Sequence, residues 1–569
     1  MQNVRTLLAV ALGATLLTRP LWCVETKPDE AKAVNAKPAE AKSTDADKTD
    51  ADKGAPKDDE PVLSVTAHSV TVDGRVINYH ATTGYMLVKV EEGKPLPTTQ
   101  RRRGHDGDGA ADAAKEDASK FKDGVKPVAK IFFIAYTLDD APDLAKRPVT
   151  FLFNGGPGSS SMWLHMGSVA PRRAALTDDG ESTPPPYGIT DNPSTWLDRT
   201  DLVFIDPVST GFSRPESKED LKQFHGMKED IASVGEFIRL YTTRNMRWLS
   251  PKLIMGESYG TMRAAGLADY LQTRYGLYLN GLILVSSALE YQTFIFSPQN
   301  LDPYIYYMPT FATTAWYHHK LSPAMEAKSV QEIAAEARAF AAGEYSAALR
   351  AGDTLPEAQK AHVADELSRF TGIAAADYRL LNLQMTDALF STKLLFSEHR
   401  YIGQYDTRFT GLSYTPGDTQ TGNTYDPSSE AVEAPMTAAF NDYVRRELKF
   451  ETDLPYEDLL DVTPWNWGNP ENGFPNTAEN LREVMTRNPY LKVWITCSYF
   501  DLSTPFFAAE NVVAGLNLDP SIRPNLRMTY YEAGHMLYIR ASAQAKLKSD
   551  FLGFLGAATN QAVIHTAAP

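Results

Sequence analysis

Cysteine is nearly absent from this chain, which has two in 569 residues, Cys23 and Cys497. A protein of this size with so few cysteines relies on its hydrophobic core rather than on a disulfide framework. Hydrophobic residues make up 43% of the sequence and aromatic residues 11%, which is enough apolar material for a large globular core. We expect Cys497, inside an apolar stretch, to be a buried strand residue.

The chain also lacks an excess of positive charge. It has 56 Lys and Arg against 71 Asp and Glu, and a net charge of -15. No basic patch interleaved with aromatic residues is present, so we expect no nucleic-acid partner and no attraction to anionic lipid. The basic cluster at residues 101–104 lies in a Gly/Asp/Ala-rich segment that runs to about residue 125, which we interpret as a solvated loop.

Long apolar runs are missing as well. The run from Leu7 to Leu17 has signal-peptide length and is too short to span a bilayer, so we predict a signal peptide at 1–23 and no membrane span. Cys23 stands where a lipoprotein cysteine would, but the preceding Trp22 is bulky, which favours ordinary cleavage. Residues 24–61 have almost no aromatic or branched side chains and should form a disordered linker. The sequence therefore predicts an exported protein, periplasmic or secreted.

The remaining chain has the pattern of an α/β protein. Residues 62–90 alternate with period two around Asp73 and Gly74, which predicts an antiparallel hairpin. Short apolar runs with helical segments between them predict a doubly wound, mostly parallel sheet. We expect a first core part at 62–290, a mostly helical cap insertion at 291–454 and a second core part at 455–560.

One motif stands where an apolar strand gives way to a helix: the stretch GESYG, residues 256–260. Gly-X-Ser-X-Gly in this context is a nucleophile elbow, in which the serine takes a strained conformation and the glycines remove side chains that would clash. The pattern alone is weak evidence, because it would also fit a serine that caps a helix. We predict that Ser258 is a nucleophile.

A serine hydroxyl needs a base and an orienting carboxylate, and in this fold they follow the serine in the order acid, then histidine. Asp501 ends an apolar strand and His535 follows the next one, which makes them the candidate acid and base. A turn-forming role for Asp501 is the structural alternative. We interpret the other histidines, such as His165 and His318, as surface or core residues.

The tetrahedral intermediate needs backbone donors. Tyr259, directly after the nucleophile, should supply one, and the loop at 153–161, FNGGPGSSS, the other. This loop lacks the lysine of a phosphate-binding loop, and no ligand spacing suggests a metal. We therefore expect neither a cofactor nor a metal.

Four blocks together resemble the serine carboxypeptidases of the α/β-hydrolase fold: residues 153–161, 201–215, 253–260 and 532–536. The resemblance covers about residues 130–555. It implies an exopeptidase that removes C-terminal residues from a peptide substrate through Ser258, Asp501 and His535. It also implies oxyanion donors at Gly156 and Tyr259, and recognition of the substrate carboxylate by Asn154 and Glu257.

A carboxylate beside the nucleophile would repel the C terminus of a peptide unless one of the two is protonated, so we expect Glu257 to favour peptide cleavage at acid pH. The alternative is that Glu257 only caps the following helix. The sequence departs from better-known members at three positions, Leu152, Ser159 and Ser168, where those members have Trp, a disulfide Cys and a Glu. In those members that Glu partners the one beside the nucleophile, whereas this chain has Ser168 in its place.

Three other functions fit parts of this pattern. An aminopeptidase of the proline iminopeptidase type has a similar GGPG loop, but usually with a His where this chain has Asn154. Acyl transfer to an alcohol or amine would use the same triad. A binding or scaffold protein that has lost catalysis would not need all three triad residues. Oligomeric state and substrate preference cannot be read from the sequence.

Overall fold

A large mixed sheet forms the centre of the protein. The computed structural model describes residues 61–91, 96–98, 125–412, 425–470 and 472–559. The predicted signal peptide, linker and basic loop lie outside the described residues. The exceptions are Pro61, the last residue of the linker, and Val125, the last residue of the loop. The strands are β1 (Ser64–Val72), β2 (Arg75–Glu91), β3 (Val125–Leu138), β4 (Val149–Phe153), β5 (Arg172–Ala174), β6 (Ile189–Asp191), β7 (Asp201–Ile205), β8 (Arg214–Pro215), β9 (Lys252–Ser258), β10 (Gly281–Ser287), β11 (Arg400–Ile402), β12 (Thr410–Leu412), β13 (Lys492–Ser498) and β14 (Leu526–Tyr531).

Helices connect these strands and cover the sheet. They are α1 (Met162–Leu164), α2 (Met227–Arg244), α3 (Tyr259–Tyr275), α4 (Asp302–Tyr317), α5 (Pro323–Glu326), α6 (Val330–Phe340), α7 (Ser346–Ala351), α8 (Glu357–Thr371), α9 (Ala375–Leu380), α10 (Asp387–Lys393), α11 (Pro427–Arg446), α12 (Ala478–Arg487), α13 (Phe506–Gly515) and α14 (Ala541–Thr559). Within the described ranges, no helix is both long and apolar enough to cross a membrane.

The strand order is β1-β2-β3-β7-β4-β9-β10-β13-β14, with β8 paired to β3 at the side. In this order, adjacent strands from β7 through β4, β9, β10 and β13 to β14 are parallel, whereas the pairs β1–β2, β2–β3 and β3–β7 are antiparallel. The predicted hairpin is present: Val72 pairs with Arg75, and Asp73 and Gly74 both have positive φ, as a two-residue turn of this kind requires.

Apolar side chains cover both faces of the sheet, because successive residues of a strand point to opposite sides. On β9, Ile254 belongs to the core that includes Phe237 of α2, while Leu253 and Met255 belong to the core that includes Phe551 of α14. A strand buried on both faces reads as a continuous apolar run. This architecture confirms the predicted α/β-hydrolase fold with its N-terminal antiparallel strands.

The chain between β10 and β13 is mostly helical, with the short antiparallel pair β11 and β12 as an addition that the sequence did not predict. The domain boundaries at 291 and 454 stay predictions. Cys497 on β13 is a buried free thiol, and burial raises its pKa, so its thiolate is disfavoured.

Candidate active site

The elbow serine has the strained backbone that the motif predicts. Ser258 ends β9 with φ 58° and ψ -131°, directly before α3. A Cβ at Gly256 would lie 2.2 Å from the carbonyl oxygen of Gly260, and one at Gly260 would lie 2.9 Å from that of Asn154. Both glycines are therefore required by the close approach of strand, helix and loop. Ser258 is partly exposed, while Glu257 and Tyr259 beside it are buried.

Asp501 and His535 form a buried pair. Asp501 Oδ2 and His535 Nδ1 are 2.9 Å apart, and the two side chains are 0% and 4% exposed. Asp501 Oδ1 accepts hydrogen bonds from the backbone amides of Ser503 at 2.8 Å and Thr504 at 2.9 Å, and the Thr504 hydroxyl donates to Oδ2 at 2.7 Å. Burial alone would lower the pKa of His535, but the charge and hydrogen bond of Asp501 raise it above its usual range.

The loop that carries His535 is attached to the strand beside the elbow. The Ser286 hydroxyl, at the end of β10, donates to the carbonyl oxygen of His535 at 2.6 Å. The next residue, Ser287, pairs with Ser258 across the parallel strands. Within the described part of the chain, no hydrogen bond joins the Ser258 hydroxyl to the imidazole. A rotation of the Ser258 side chain or a small shift of its segment would be needed for the two groups to meet.

The glycine loop after β4 lies against the start of α3. A Cβ at Gly155 would lie 2.6 Å from the backbone nitrogen of Tyr259, so a side chain there would cover this amide. Gly156 follows with φ 98° and is partly exposed. The first amides of a helix have no partner within the helix. The loop and the helix start thus bring the two predicted oxyanion donors, Gly156 and Tyr259, to adjoining segments.

Asn154 and Glu257 contact each other directly. Asn154 Nδ2 donates to Glu257 Oε2, and the Tyr538 hydroxyl donates to the same oxygen at 2.7 Å. Asn154 Oδ1 accepts from the backbone amide of Leu164 at 3.0 Å, which orients the amide. Burial raises the pKa of Glu257 to about 7, although the charge of His535 and the hydrogen bond from Tyr538 act in the opposite direction. A carboxyl group in this state changes its charge near neutral pH.

A buried ion pair, formed by Arg263 and Asp230, contacts both Asn154 and Tyr259. Arg263 donates to Asp230 Oδ2 at 2.7 Å and to the carbonyl oxygen of Asn154 at 2.6 Å. The Tyr259 hydroxyl donates to the same Asp230 oxygen at 3.0 Å. Neither charged residue was predicted, because the only signal of each in the sequence is a polar position on an otherwise apolar helix face.

Two tryptophans in the segment after α11 also contact the site. The rings of Trp465 and Trp467 each lie 5.8 Å from the ring of Tyr259, edge to face, and Trp467 is 4.9 Å from Tyr291. Both are partly exposed. They form an aromatic wall against Tyr259, the residue after Ser258. This wall was not predicted, although the string PWNWGNP at 464–470 is rich in tryptophan.

A residue of the predicted cap contacts His535. The His535 amide donates to the carbonyl oxygen of Tyr405 at 2.5 Å, and the two rings are 5.4 Å apart. A Cβ at Gly534 would lie 2.4 Å from the side chain of Asp406, which explains the glycine before the histidine. Tyr405 was also missed, because it lies far from the motifs in sequence.

His165, which the sequence predicts to be a surface or core histidine, is not part of this hydrogen-bonded cluster. His165 is buried against the Tyr136 hydroxyl at 2.6 Å, and burial lowers its pKa to about 3, as for a core histidine. In the described residues, no group of three or more His, Cys, Asp or Glu side chains could hold a metal ion.

Comparisons with known proteins point to one family. Pheromone-processing carboxypeptidase KEX1 of Saccharomyces cerevisiae is 31% identical over 172 residues, which are 29% of this chain and 21% of that protein. Serine carboxypeptidase-like 51 of Arabidopsis thaliana is 27% identical over 183 residues, 30% of this chain and 37% of that protein. The chain therefore matches well under half the length of these curated relatives.

Among solved structures, a prohormone-processing carboxypeptidase from Saccharomyces cerevisiae aligns with a TM-score of 0.46 and 15% identity, over 84% of this chain and 92% of that chain. The model of the serine carboxypeptidase family matches residues 123–536. This match extends from the beginning of β3 to just beyond the candidate base and includes every residue discussed above as nucleophile, acid or base. The chain belongs to the serine carboxypeptidase family.

Proposed function

We propose that this protein is an exported serine carboxypeptidase that removes C-terminal residues from peptides. The buried pair of Asp501 and His535 beside the strained Ser258 is the observation that carries the proposal. A hydrolase of this type needs a base that is oriented by an acid and reaches a serine on a sharp turn. Family membership supports the same chemistry.

The reaction proceeds through an acyl-enzyme. Ser258 Oγ attacks the scissile carbonyl while His535 takes its proton, and the amides of Gly156 and Tyr259 bind the resulting oxyanion. The intermediate collapses as His535 protonates the leaving amine, which departs with the C-terminal residue. Water then attacks the acyl group while His535 takes its proton. When this second intermediate collapses, His535 returns the proton to Ser258 Oγ, and the shortened peptide leaves with a new C-terminal carboxyl group.

Asn154 and Glu257 bind the carboxylate of the substrate in this proposal. A protonated Glu257 donates a hydrogen bond to that carboxylate, whereas an ionised one repels it. Because the pKa of Glu257 is raised to about 7, the binding form is present below about pH 7 and is lost above it. His535 must be neutral to act as base, and its pKa is raised partly by the charge of Glu257, so the two groups titrate as a coupled pair.

A peptide panel tests the proposal. Each peptide is offered with a blocked N terminus and a free C terminus, and again with a free N terminus and an amidated C terminus. Trimming of the blocked form but not of the amidated form supports a carboxypeptidase, whereas the reverse supports an aminopeptidase. Transfer of the acyl group to an added alcohol in preference to water would instead indicate an acyltransferase. The variant Ser258→Ala is the control for contaminating peptidases.

Export forms a separate part of the proposal. It depends on the apolar run of residues 7–17 within the first 23, which lie outside the described residues. Expression of the full chain followed by mass spectrometry of the mature N terminus tests it. A mature protein that begins near residue 24 is expected, and one that keeps Met1 in the cytoplasmic fraction would contradict export.

A further inference from the structure

One hydrogen bond to Glu257 comes from a residue that no motif identifies. Tyr538 is fully buried, and its hydroxyl donates to Glu257 Oε2 at 2.7 Å. It lies in the short helical turn Leu537–Ile539, three residues after His535. The loop that delivers the base to Asp501 therefore also delivers a hydrogen-bond donor to Glu257.

The ring of Tyr538 is held by close packing. A Cβ at Gly167 would lie 2.9 Å from Tyr538 Cε2 and 2.9 Å from Met436 Cε, so the absence of a side chain at position 167 makes room for the ring. Ser168, the next residue, is fully buried, and within the described residues its hydroxyl has no hydrogen-bond partner. Position 168 therefore supplies no charge and no donor to Glu257, while Tyr538, whose ring packs against Gly167, supplies a phenol hydroxyl.

The two oxygens of Glu257 are unequal. Oε2 accepts from both Asn154 and Tyr538, whereas Oε1 is buried and has no partner in the described part of the protein. Donors favour the charged form of a carboxyl group, and burial favours the neutral form. The titratable groups that face Glu257 are His535, Asp501, Tyr405 and Tyr538.

We propose that Tyr538 is a positioning residue that orients the Glu257 carboxyl and sets the pH at which this side chain gains or loses its proton. Within the described residues, the Tyr538 hydroxyl hydrogen-bonds to Glu257 and also interacts with Asn154, and it makes no hydrogen bond to Ser258 or His535. Its effect on the substrate therefore passes through this carboxylate-binding pair. The consequence for catalysis rests on the proposed function, because only a substrate with a free C-terminal carboxylate would sense the charge of Glu257.

The direct test measures the titration of Glu257 itself. Infrared difference spectra between the wild type and Glu257→Gln follow the carboxyl stretch over pH, and the same subtraction is made in a Tyr538→Phe background. Loss of the donor should raise the midpoint by about one pH unit, since a hydrogen bond to a charged group contributes on this order. An unchanged midpoint would overturn the inference.

A matched control uses another buried tyrosine. Tyr443 is fully buried and its hydroxyl bonds to the Tyr136 hydroxyl at 3.0 Å rather than to Glu257, so Tyr443→Phe should leave the midpoint where it is. If Tyr538→Phe does not fold, incorporation of 3-fluorotyrosine at position 538 provides the second measurement. Its more acidic phenol is a stronger donor and should lower the midpoint, whereas a midpoint that stays or rises would contradict the inference.

The kinetic readout separates this inference from the proposed function. In Tyr538→Phe, the pH above which KM for a free-acid peptide rises should move up by about one unit, while kcat for a neutral ester stays the same. If the wild type trims no peptide but the infrared midpoint still shifts, the proposed function falls and the role of Tyr538 stands. If peptides are trimmed and neither midpoint nor KM profile moves, the role of Tyr538 falls alone.

Discussion

Two buried carboxyl groups in one site, those of Asp501 and Glu257, differ in how many of their oxygens accept hydrogen bonds. Asp501 accepts hydrogen bonds on both oxygens, from the amides of Ser503 and Thr504, from the Thr504 hydroxyl and from His535. Glu257 accepts on one oxygen only, and the other has no partner within the described ranges. An acid with both oxygens engaged holds one orientation, which suits the positioning of a base. An acid with one unpartnered oxygen retains the capacity to take up a proton or to bind a ligand.

Replacement of Asp501 should have the largest effect. Asp501→Asn places an amide beside His535 Nδ1, stabilises the wrong tautomer of the imidazole, and should reduce kcat/KM by about 10,000-fold. The loss should be equal for a free-acid peptide and a neutral ester, because in the proposed mechanism Asp501 acts on the chemical step and not on carboxylate binding. A loss confined to the free-acid peptide would reverse the roles assigned to Asp501 and Glu257.

A third buried acid extends the comparison to stability. Asp230 is paired with Arg263, and both side chains are at most 3% exposed. Arg263→Met would leave Asp230 as an unpaired buried charge, which should cost about 3–5 kcal/mol of unfolding free energy in urea titrations. The exposed pair of Arg482 and Glu479 is the control, and Arg482→Met should change the unfolding midpoint little. Equal effects of the two variants would contradict the structural role of Arg263.

Replacement of Glu257 should change the pH dependence of activity rather than abolish activity. Because its pKa is raised to about 7, kcat/KM for a free-acid peptide should fall as pH rises through that value in the wild type. Glu257→Gln cannot ionise and should lose this decline, so that the pH profiles of the two differ by about tenfold one unit above the pKa. Activity on a neutral ester is the internal control. A wild-type enzyme with uniform peptidase activity between about pH 4 and pH 8 would refute the prediction.

Changes in the aromatic wall should affect substrate preference alone. Trp467→Ala removes a ring that contacts Tyr259 and Tyr291, and should reduce discrimination between aromatic residues and alanine beside the scissile bond by about tenfold. A panel of blocked dipeptides that varies one residue at a time measures this. Trp248, 43% exposed on the loop before β9, is the matched control, since Trp248→Ala should leave the preference unchanged.

Much of the fold and part of the site could be predicted from continuous stretches. The apolar runs of β7, β9 and β10 identified buried parallel strands because both faces of each are covered. The glycines at 256 and 260 identified the elbow, and the structure supplies the close contacts that require them. Asp501 and His535 could be selected because both follow the ends of late strands, and parallel strands end at the same edge of the sheet. Their roles in catalysis stay predictions.

The partners of these groups could not be predicted. Tyr405 and Ser286 contact the His535 backbone from the predicted cap and from β10, and neither belongs to a pattern with a fixed spacing from the histidine. The prediction for Ser168 was only that a partner of Glu257 was missing. The structure places Tyr538 in contact with Glu257 instead, on a loop whose path depends on packing against Gly167.

The sequence by itself determined the succession of strands and helices and the order of elbow, acid and base. The periodicity of apolar residues and the glycines of a tight turn can both be read from short continuous stretches of sequence. Only the tertiary structure decided how Glu257 is satisfied, since its donors Asn154 and Tyr538 lie 103 and 281 residues away along the chain. A hydrogen bond depends on distance and direction between two atoms. For segments so far apart, both are set by how the whole core packs.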